Sequence, residues 1–188
     1  EVDTPGITTV EKVSEFLKVS PKDLVKTIIL VADGKEIAVL VRGDYELNLV
    51  KLARYLKAEN LVMADEETIK KVTGGPLGFS GPLGLKGIRI LADYSLKSIF
   101  NFVTGANKKD KHLINVNLGR DFQIEEFGDF RYFTSEDNCP RCGKGVSLMT
   151  ALEIGHIFKL GTKYSSVLKA NFLARDGKEK PMIMGCYG

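Results

Sequence analysis

The residues from 74 to 84, GGPLGFSGPLG, form the segment whose composition most directly indicates chemistry. Five glycines and two prolines stand within these eleven residues, so proline constrains the backbone and glycine leaves it sterically bare. Backbone N–H groups presented in this way can stabilise negative charge that develops on an oxygen atom. A surface loop shaped only by turn residues is the simpler alternative. Five glycines exceed what a connection needs, so we place a candidate site here.

Lys26 and His112 are two further side chains suited to chemistry. An ammonium group can hold a phosphate, and a histidine with a pKa near neutrality can act as a general base. Lys26 lies where a predicted short helix leads into a strand, so a solvated residue near the negative end of a helix dipole is the alternative. We find no Ser-His-Asp pattern and no Cys-His pair that can be placed together, so no nucleophile is assigned.

Cys139 and Cys142 form a CxxC pair, CPRCG, that looks like half of a zinc knuckle. A structural zinc site needs four ligands, and the sequence has no second CxxC. His156 and Cys186 are the other candidate ligands in the C-terminal segment. Three cysteines are an odd set in a chain without an export signal, so we expect reduced thiols. We predict a turn here and no metal site.

Capping residues, turns and hydrophobic periodicity divide the chain into short helices and strands. Helices are predicted at residues 9–17 and 48–56 and from Asp65 to Gly74, with short ones after Ser20 and Asp93. Strands are predicted at residues 27–31, 37–41, 61–63, 88–92 and 112–117, and in the C-terminal part at 152–158, 170–174 and 181–184. Val10 and Val13 lie on the apolar face of the first helix, and periodicity alone predicts that this face is buried.

The composition is that of an ordinary globular protein, with 44% apolar and 27% charged residues in a chain of 188. A net charge of +3 is too small to indicate a nucleic-acid-binding protein by itself. No apolar run approaches the roughly 20 residues of a membrane span, and the first residues lack the layout of a signal peptide. We expect a cytoplasmic protein with no membrane partner.

Two groups of motifs resemble one family, the bacterial-type prolyl-tRNA synthetases. GHIFKLGTKYS at 155–165 and KPMIMGCYG at 180–188 resemble the class II catalytic domain just before its third signature motif. Five further motifs resemble the editing domain that is inserted in that catalytic domain. They are VKTIIL at 25–30, LVRGDYELN at 40–48, GFSGP at 78–82, TGAN at 104–107 and GRDF at 119–122. This insertion is similar to the free-standing YbaK/ProX-type deacylases.

The resemblance implies an α+β fold: a mixed, barrel-like β-sheet core with flanking helices, followed by a β-hairpin segment from the class II synthetase sheet. The polar stretch EDNCPRCGKG is typical of a boundary connection. We assign residues 1–146 to the editing domain and residues 147–188 to a fragment of the catalytic domain. Without the rest of that sheet, the C-terminal strands are expected to expose unpaired edges or to self-associate.

The resemblance also implies an activity, the hydrolytic editing of alanine esterified to proline tRNA. A pocket made for proline cannot strongly exclude a smaller amino acid, so a second site must remove the error. The residues that match the family's site fall into a catalytic group and a substrate-binding group. The catalytic group is Lys26, Gly78 and Gly81, and the substrate-binding group is Val10, Val13, His112 and Pro82.

The family also implies a role for each group. Lys26 would hold the terminal nucleotide, and the GxxxP loop would stabilise the oxyanion. His112 would shape the pocket for alanine, while a hydroxyl of the terminal ribose would position or activate the water. No protein nucleophile is needed in this scheme.

The implied partner is the acceptor end of tRNA(Pro) carrying esterified alanine, and the parent synthetase is expected to be a homodimer. Editing needs no cofactor, because ATP and Mg would serve only the parent enzyme. The chain lacks the first two class II motifs and the arginine of the third, so no ligase activity is expected. The alternatives are a module that docks the tRNA acceptor end without hydrolysis, and a structural insert. We expect weak tRNA affinity, because the excess positive charge is small.

Overall fold

The computed structural model describes residues 1–85 and 87–188, which form two compact units, 1–133 and 134–188. The predicted domain boundary at residue 146 lies inside the second unit, and the position of the functional boundary stays a prediction.

The first unit holds three helices and eight strands among its described residues. They are β1 (Val2–Asp3), α1 (Val10–Leu17), β2 (Val25–Ala32), β3 (Lys35–Arg42), α2 (Leu49–Leu56), β4 (Leu61–Met63), α3 (Glu66–Thr73), β5 (Arg89–Asp93), β6 (Phe102–Gly105), β7 (Lys111–Val116) and β8 (Glu126–Gly128).

Side chains just before each helix explain where the three helices begin. Thr9, Asn48 and Asp65 accept hydrogen bonds from backbone N–H groups in the first turns of α1, α2 and α3 respectively, which satisfies donors that a helix leaves unpaired. Gly74 ends α3 with a positive φ of 78°, a conformation that glycine adopts at little cost. The predicted short helices after Ser20 and Asp93 are 3₁₀ turns, Pro21–Asp23 and Tyr94–Ser98.

The strands form a five-stranded mixed sheet and a three-stranded antiparallel sheet. The order in the larger sheet is β4-β2-β3-β5-β8, with β2 antiparallel to β3 and β4 and with parallel pairs β3–β5 and β5–β8. The smaller sheet has the order β1-β7-β6, and a parallel bridge between Leu24 and Val103 joins the region before β2 to β6. The mixed α+β fold is confirmed, although the strands do not close into a barrel within the described residues.

Buried apolar side chains from both sheets and all three helices hold the first unit together. The cluster around Leu40 and Phe102 lies between the two sheets, and a second cluster packs α2 against the larger sheet through Leu52. Smaller clusters bury Val13 of α1 and Ile69 of α3. Each fully buried side chain of this size contributes about 1.5–3 kcal/mol, so these contacts hold α1 and α3 in place.

The second unit contains a helix and four short strands: β9 (Ile157–Gly161), α4 (Ser165–Leu168), β10 (Asn171–Leu173), β11 (Glu179–Pro181) and β12 (Met184–Tyr187). β10 and β11 form the predicted hairpin, and β12 pairs with β9. The strand predicted at 152–158 is wrong in extent, because β9 begins only at Ile157. The strand predicted at 181–184 is wrong too, because β11 ends at Pro181, which lacks the N–H that a ladder needs, and β12 starts at Met184.

Candidate functional site

A cavity of about 410 Å³ lies in the first unit, where the start of α1, strand β2 and the glycine-rich loop at 74–84 meet strands β6 and β7. Five of the seven predicted site residues line it. They are Val10, Val13, Lys26, Gly78 and His112. Gly81 and Pro82 do not belong to the described lining. The fold therefore brings together residues that lie far apart in the sequence.

Lys26 lies on β2, where its backbone pairs with Val41 of β3. Its Nζ donates a hydrogen bond of 2.7 Å to Oε1 of Glu46, and 20% of its side chain is exposed. The position of Lys26 within a strand argues against the alternative that it is a solvated residue at the end of a helix. Among the described lining residues Lys26 is the only lysine or arginine, whereas Glu11 and Glu46 supply two carboxylates.

Gly81 braces the loop instead of facing the cavity. Its N–H donates a hydrogen bond of 2.7 Å to Oδ1 of Asn107, and Asn107 Nδ2 donates to the carbonyls of Gly81 and Leu83 at 3.1 and 2.7 Å. A Cβ added at Gly81 would lie 1.8 Å from the carbonyl oxygen of Gly105. Glycine is needed here for close backbone packing, and the predicted role of its N–H as an oxyanion donor does not fit this geometry.

Leu77, Gly78 and Ser80 are the residues of the glycine-rich loop that line the cavity. The N–H groups of Gly78 and Ser80 have no hydrogen-bond partner among residues 1–85 and 87–188. Gly78 has a φ of 92°, and an added Cβ would lie 2.8 Å from Cγ2 of Thr8. The loop thus presents two unpaired donors. Sequence reasoning missed Ser80, although it lies inside the matched GFSGP motif.

His112 is a buried wall of the cavity, with 5% of its surface exposed. Its Nδ1 lies 2.6 Å from the hydroxyl of the fully buried Thr4, and its ring meets Phe79 edge-on at 5.8 Å. Burial lowers the pKa of His112, because desolvation disfavours the charged imidazolium. The side chain is therefore neutral near pH 7 and held by contacts at its edge.

Val10 and Val13 serve the core and the cavity together. Val13 is 2% exposed and packs with Leu24 and Val103, and Val10 packs against the same cluster. Periodicity alone predicted this buried face, and that prediction is confirmed. Both residues also line the cavity, so its apolar side is part of the protein core.

Two threonines that sequence reasoning missed add polar groups to the cavity. Thr104 is buried and its hydroxyl donates a hydrogen bond of 2.9 Å to the carbonyl of Val25. Thr27 Oγ1 is buried and has no hydrogen-bond partner among the described residues. An unpaired buried hydroxyl costs free energy, so Thr27 is a destabilising polar group beside the cavity. The VKTIIL motif contains this threonine, but nothing in the motif indicates that Thr27 lies beside the cavity.

Comparison with known proteins decides what kind of site this is. The sequence pattern of the family described as "Aminoacyl-tRNA editing domain" matches residues 4–122. This chain belongs to that family. The matched range contains every residue discussed at the cavity, and tRNA is accordingly the partner class of this editing domain.

The relatives of this editing domain are longer proteins. A proline--tRNA ligase of Syntrophus aciditrophicus (strain SB) is 52% identical over 188 residues, which cover 100% of this chain and 32% of that protein. A proline--tRNA ligase of Geobacter sp. (strain M21) is 50% identical over 189 residues, covering 100% of this chain and 33% of its own length. The chain spans about a third of the length of these curated relatives, and both of its units resemble them.

Solved structures share the fold of this editing domain at lower identity. A candidate trans-editing enzyme for prolyl tRNA synthetase superposes with a TM-score of 0.60 at 19% identity, covering 70% of this chain and 85% of that one. The hypothetical protein APE2540 superposes with a TM-score of 0.58 at 22% identity, covering 70% and 89%. These likenesses concern the arrangement of helices and strands.

The CxxC pair of the editing-domain chain lies in the second unit as a tight turn. Cys139 N donates to the carbonyl of Lys144 and Gly143 N donates to the carbonyl of Cys139, both at 2.8 Å. Hydrogen bonds from the backbone N–H groups of Arg141 and Cys142 lower the pKa of the Cys139 thiol. The described residues contain no group of three or more His, Cys, Asp or Glu that could hold a metal ion.

None of the helices formed by the described residues is long and apolar enough to cross a membrane.

Proposed function

We propose that this chain hydrolyses alanine esterified to tRNA(Pro), as the editing part of a prolyl-tRNA synthetase. Three observations support the proposal: the family match over residues 4–122, relatives that are proline--tRNA ligases, and the fold shared with a candidate trans-editing enzyme for prolyl tRNA synthetase. The observation that carries it is the cavity, which joins a lysine, unpaired backbone N–H groups and apolar walls inside the matched range.

The walls of the cavity suit selection by size. Val13 and His112 are 2% and 5% exposed and are held by the core and by Thr4, so neither can move aside without disrupting packing. Rigid walls at these positions would admit a methyl side chain and exclude a pyrrolidine ring. The cavity would thereby act as the second sieve that a proline-activating enzyme needs.

The reaction is the addition of water to the carbonyl carbon of the ester. The carbon–oxygen bond to the ribose then breaks, the ribose oxygen takes up a proton, and alanine leaves as a carboxylic acid. The N–H groups of Gly78 and Ser80 would stabilise the oxyanion, while Lys26 would hold a phosphate of the terminal nucleotide. Gly81 supports this loop through Asn107, and a ribose hydroxyl would position or activate the water.

The wider setting of the activity is part of the same proposal. The hydrolysis would need no cofactor, ATP and Mg being used only by the remainder of the synthetase, and this chain would have no ligase activity. The partner surface would be the acceptor end of tRNA(Pro). The parent enzyme would be a cytoplasmic homodimer.

The test is the deacylation rate of Ala-tRNA(Pro) against Pro-tRNA(Pro), with a control lacking protein. The wild-type chain should cleave the alanyl ester at least about 10-fold faster than the prolyl ester, and Lys26→Ala should return the rate to that of the control. Lys71→Ala is the matched variant, since Lys71 pairs with Glu36 outside the cavity, and it should keep the wild-type rate. If the wild-type chain cleaves neither ester, and the Lys26→Ala variant binds tRNA more weakly than the wild type, the chain is a docking module.

A further inference from the structure

The ion pair between Lys26 and Glu46 joins a mostly buried cation to a carboxylate that stands largely in water. The Lys26 side chain is 20% exposed and the Glu46 side chain is 78% exposed, with 2.7 Å between Nζ and Oε1. Within the part of the chain that the structure describes, this is the only hydrogen bond of either side chain. An exposed carboxylate in one such contact is held weakly, because water competes for it.

The backbone of Glu46 is anchored although its side chain is not. Its carbonyl accepts a hydrogen bond of 2.9 Å from the N–H of Tyr132, and Leu47 forms an antiparallel bridge with Arg131. Asn48 then caps α2 and donates its own N–H to the carbonyl of Phe130 at 2.7 Å. The backbone of Glu46 is thus fixed while its carboxylate contacts Lys26. Rotation of the side chain alone can move the carboxylate from Lys26 into solvent.

The neighbouring arginines are already engaged with other groups. Arg42 Nη2 donates to Asp44 at 2.6 Å, and the guanidinium groups of Arg42 and Arg131 stack on Tyr45 at 4.1 and 4.0 Å from the ring centroid. Lys26 is therefore the cation that the described lining offers to an anionic ligand. With Glu11 and Glu46 in the same lining, an incoming phosphate meets two carboxylates.

We propose that Glu46 is a displaceable counter-ion: it positions the Lys26 ammonium in the free protein, and a phosphate of the tRNA end replaces it when substrate binds. This inference rests on the proposed function. A phosphate forms a charge-assisted hydrogen bond with an ammonium group, whereas the exposed carboxylate loses little when it returns to water. Two anions at one ammonium would repel each other, so binding and displacement are coupled.

Removal of the charge at Glu46 should therefore strengthen substrate binding. Glu46→Gln keeps the shape of the side chain and removes the competing anion. We expect the concentration of half-maximal rate to fall about 2- to 5-fold at low salt, the range of an exposed ion pair, while the maximal rate stays within about 2-fold. The gain should shrink towards 0.5 M salt, where screening weakens the competition.

The experiment is single-turnover deacylation of Ala-tRNA(Pro) with the chain in excess, which yields the half-maximal concentration and the maximal rate separately. Glu36→Gln is the matched control, because Glu36 also pairs with a lysine, Lys71 at 2.9 Å, and the change in net charge is identical. It should leave both quantities unchanged. Binding of uncharged tRNA(Pro), measured by fluorescence anisotropy, adds a readout that does not need hydrolysis. There the advantage of Glu46→Gln should vanish in a Lys26→Met background.

Three results would overturn the inference. A lower maximal rate at unchanged half-maximal concentration would mean that Glu46 takes part in the reaction step. An equal fall in the half-maximal concentration with Glu36→Gln would mean that the effect comes from the change in net charge alone. A gain that persists with Lys26→Met would show that Glu46 does not act through Lys26. A wild-type chain without hydrolysis would refute the proposed function instead, and the binding arm would still decide on Glu46.

Discussion

The two units of this chain differ most in the apolar surface that each one buries. All of the buried apolar residues, Leu40 and Phe130 among them, lie within residues 1–133. Of the described residues 134–188, only Ser165 is buried, while Ile154 and Ile157 are 95% and 84% exposed. The first unit has a five-stranded sheet covered by helices, whereas the second has two separate two-stranded pairs.

The difference shows that family resemblance and independent packing are separate properties. Both units match the proline--tRNA ligase relatives along their whole length, yet only the first contains a core. A two-stranded pair is marginally stable by itself, and the large apolar side chains of the second unit, such as Ile154, are exposed. The cavity belongs entirely to the unit whose core can hold its walls in place.

The largest effect should come from a truncation in the core of the first unit. Phe130 is fully buried and its ring meets that of Tyr55 edge-on at 5.0 Å. Phe130→Ala should lower the free energy of unfolding by about 3–5 kcal/mol, measured by urea denaturation with circular dichroism. Phe172→Ala, at a side chain that is 44% exposed in the second unit, should cost less than about 1 kcal/mol. Equal losses would contradict the contrast between the units.

A smaller loss should follow from a methyl group added where the glycine-rich loop meets β6. Gly81→Ala places Cβ against the carbonyl of Gly105, and overpacking of this kind costs about 1–3 kcal/mol. The loop should shift, and deacylation should fall with it. Gly145→Ala is the control in the second unit, because its nearest contact would be 4.0 Å away, and it should change neither stability nor rate. Full activity of the Gly81→Ala variant would contradict the role of Gly81 in bracing the loop.

The pH dependence of stability should report the burial of His112. The folded-state pKa of His112 lies below the ordinary value of 6.5, so the unfolded chain binds the proton more tightly. Its contribution to stability is complete above pH 6.5 and is lost as the pH falls through the folded-state pKa. Urea midpoints at pH 7.5 and 5.5 should therefore differ more for wild type than for His112→Gln. His156→Gln in the second unit is the control. If the midpoint difference between pH 7.5 and 5.5 is as large in His112→Gln as in the wild type, His112 is not the source of the pH dependence.

The smallest effect on stability is expected at the exposed isoleucines of the second unit. Ile154→Ser together with Ile157→Ser should leave the free energy of unfolding within about 0.5 kcal/mol of wild type. It should nevertheless weaken self-association of the chain, measured by sedimentation velocity, because exposed apolar patches drive contacts between molecules. A wild-type chain that stays monomeric at high concentration would contradict the expectation.

Local signals in the sequence predicted most helices and strands of the first unit. Asn48 and Asp65 identify helix starts because their side chains accept bonds from N–H groups three residues ahead. Asp33 and Gly34 predicted the β2–β3 hairpin, and both have positive φ, as a two-residue turn of this kind requires. Strand β6 was missed, because all four of its residues are buried and a strand buried on both faces shows no alternation.

The sequence by itself determined the family, the capped helices and the main hairpin, since motifs and caps depend on residues close together in the chain. Tertiary structure alone decided the details of the site. The N–H of Gly81 is bound by Asn107, 26 positions away, His112 meets Thr4 across 108 positions, and Lys26 meets Glu46 across 20. Such contacts depend on how the sheets and loops pack, and no local pattern encodes which donor remains unpaired or which carboxylate reaches an ammonium.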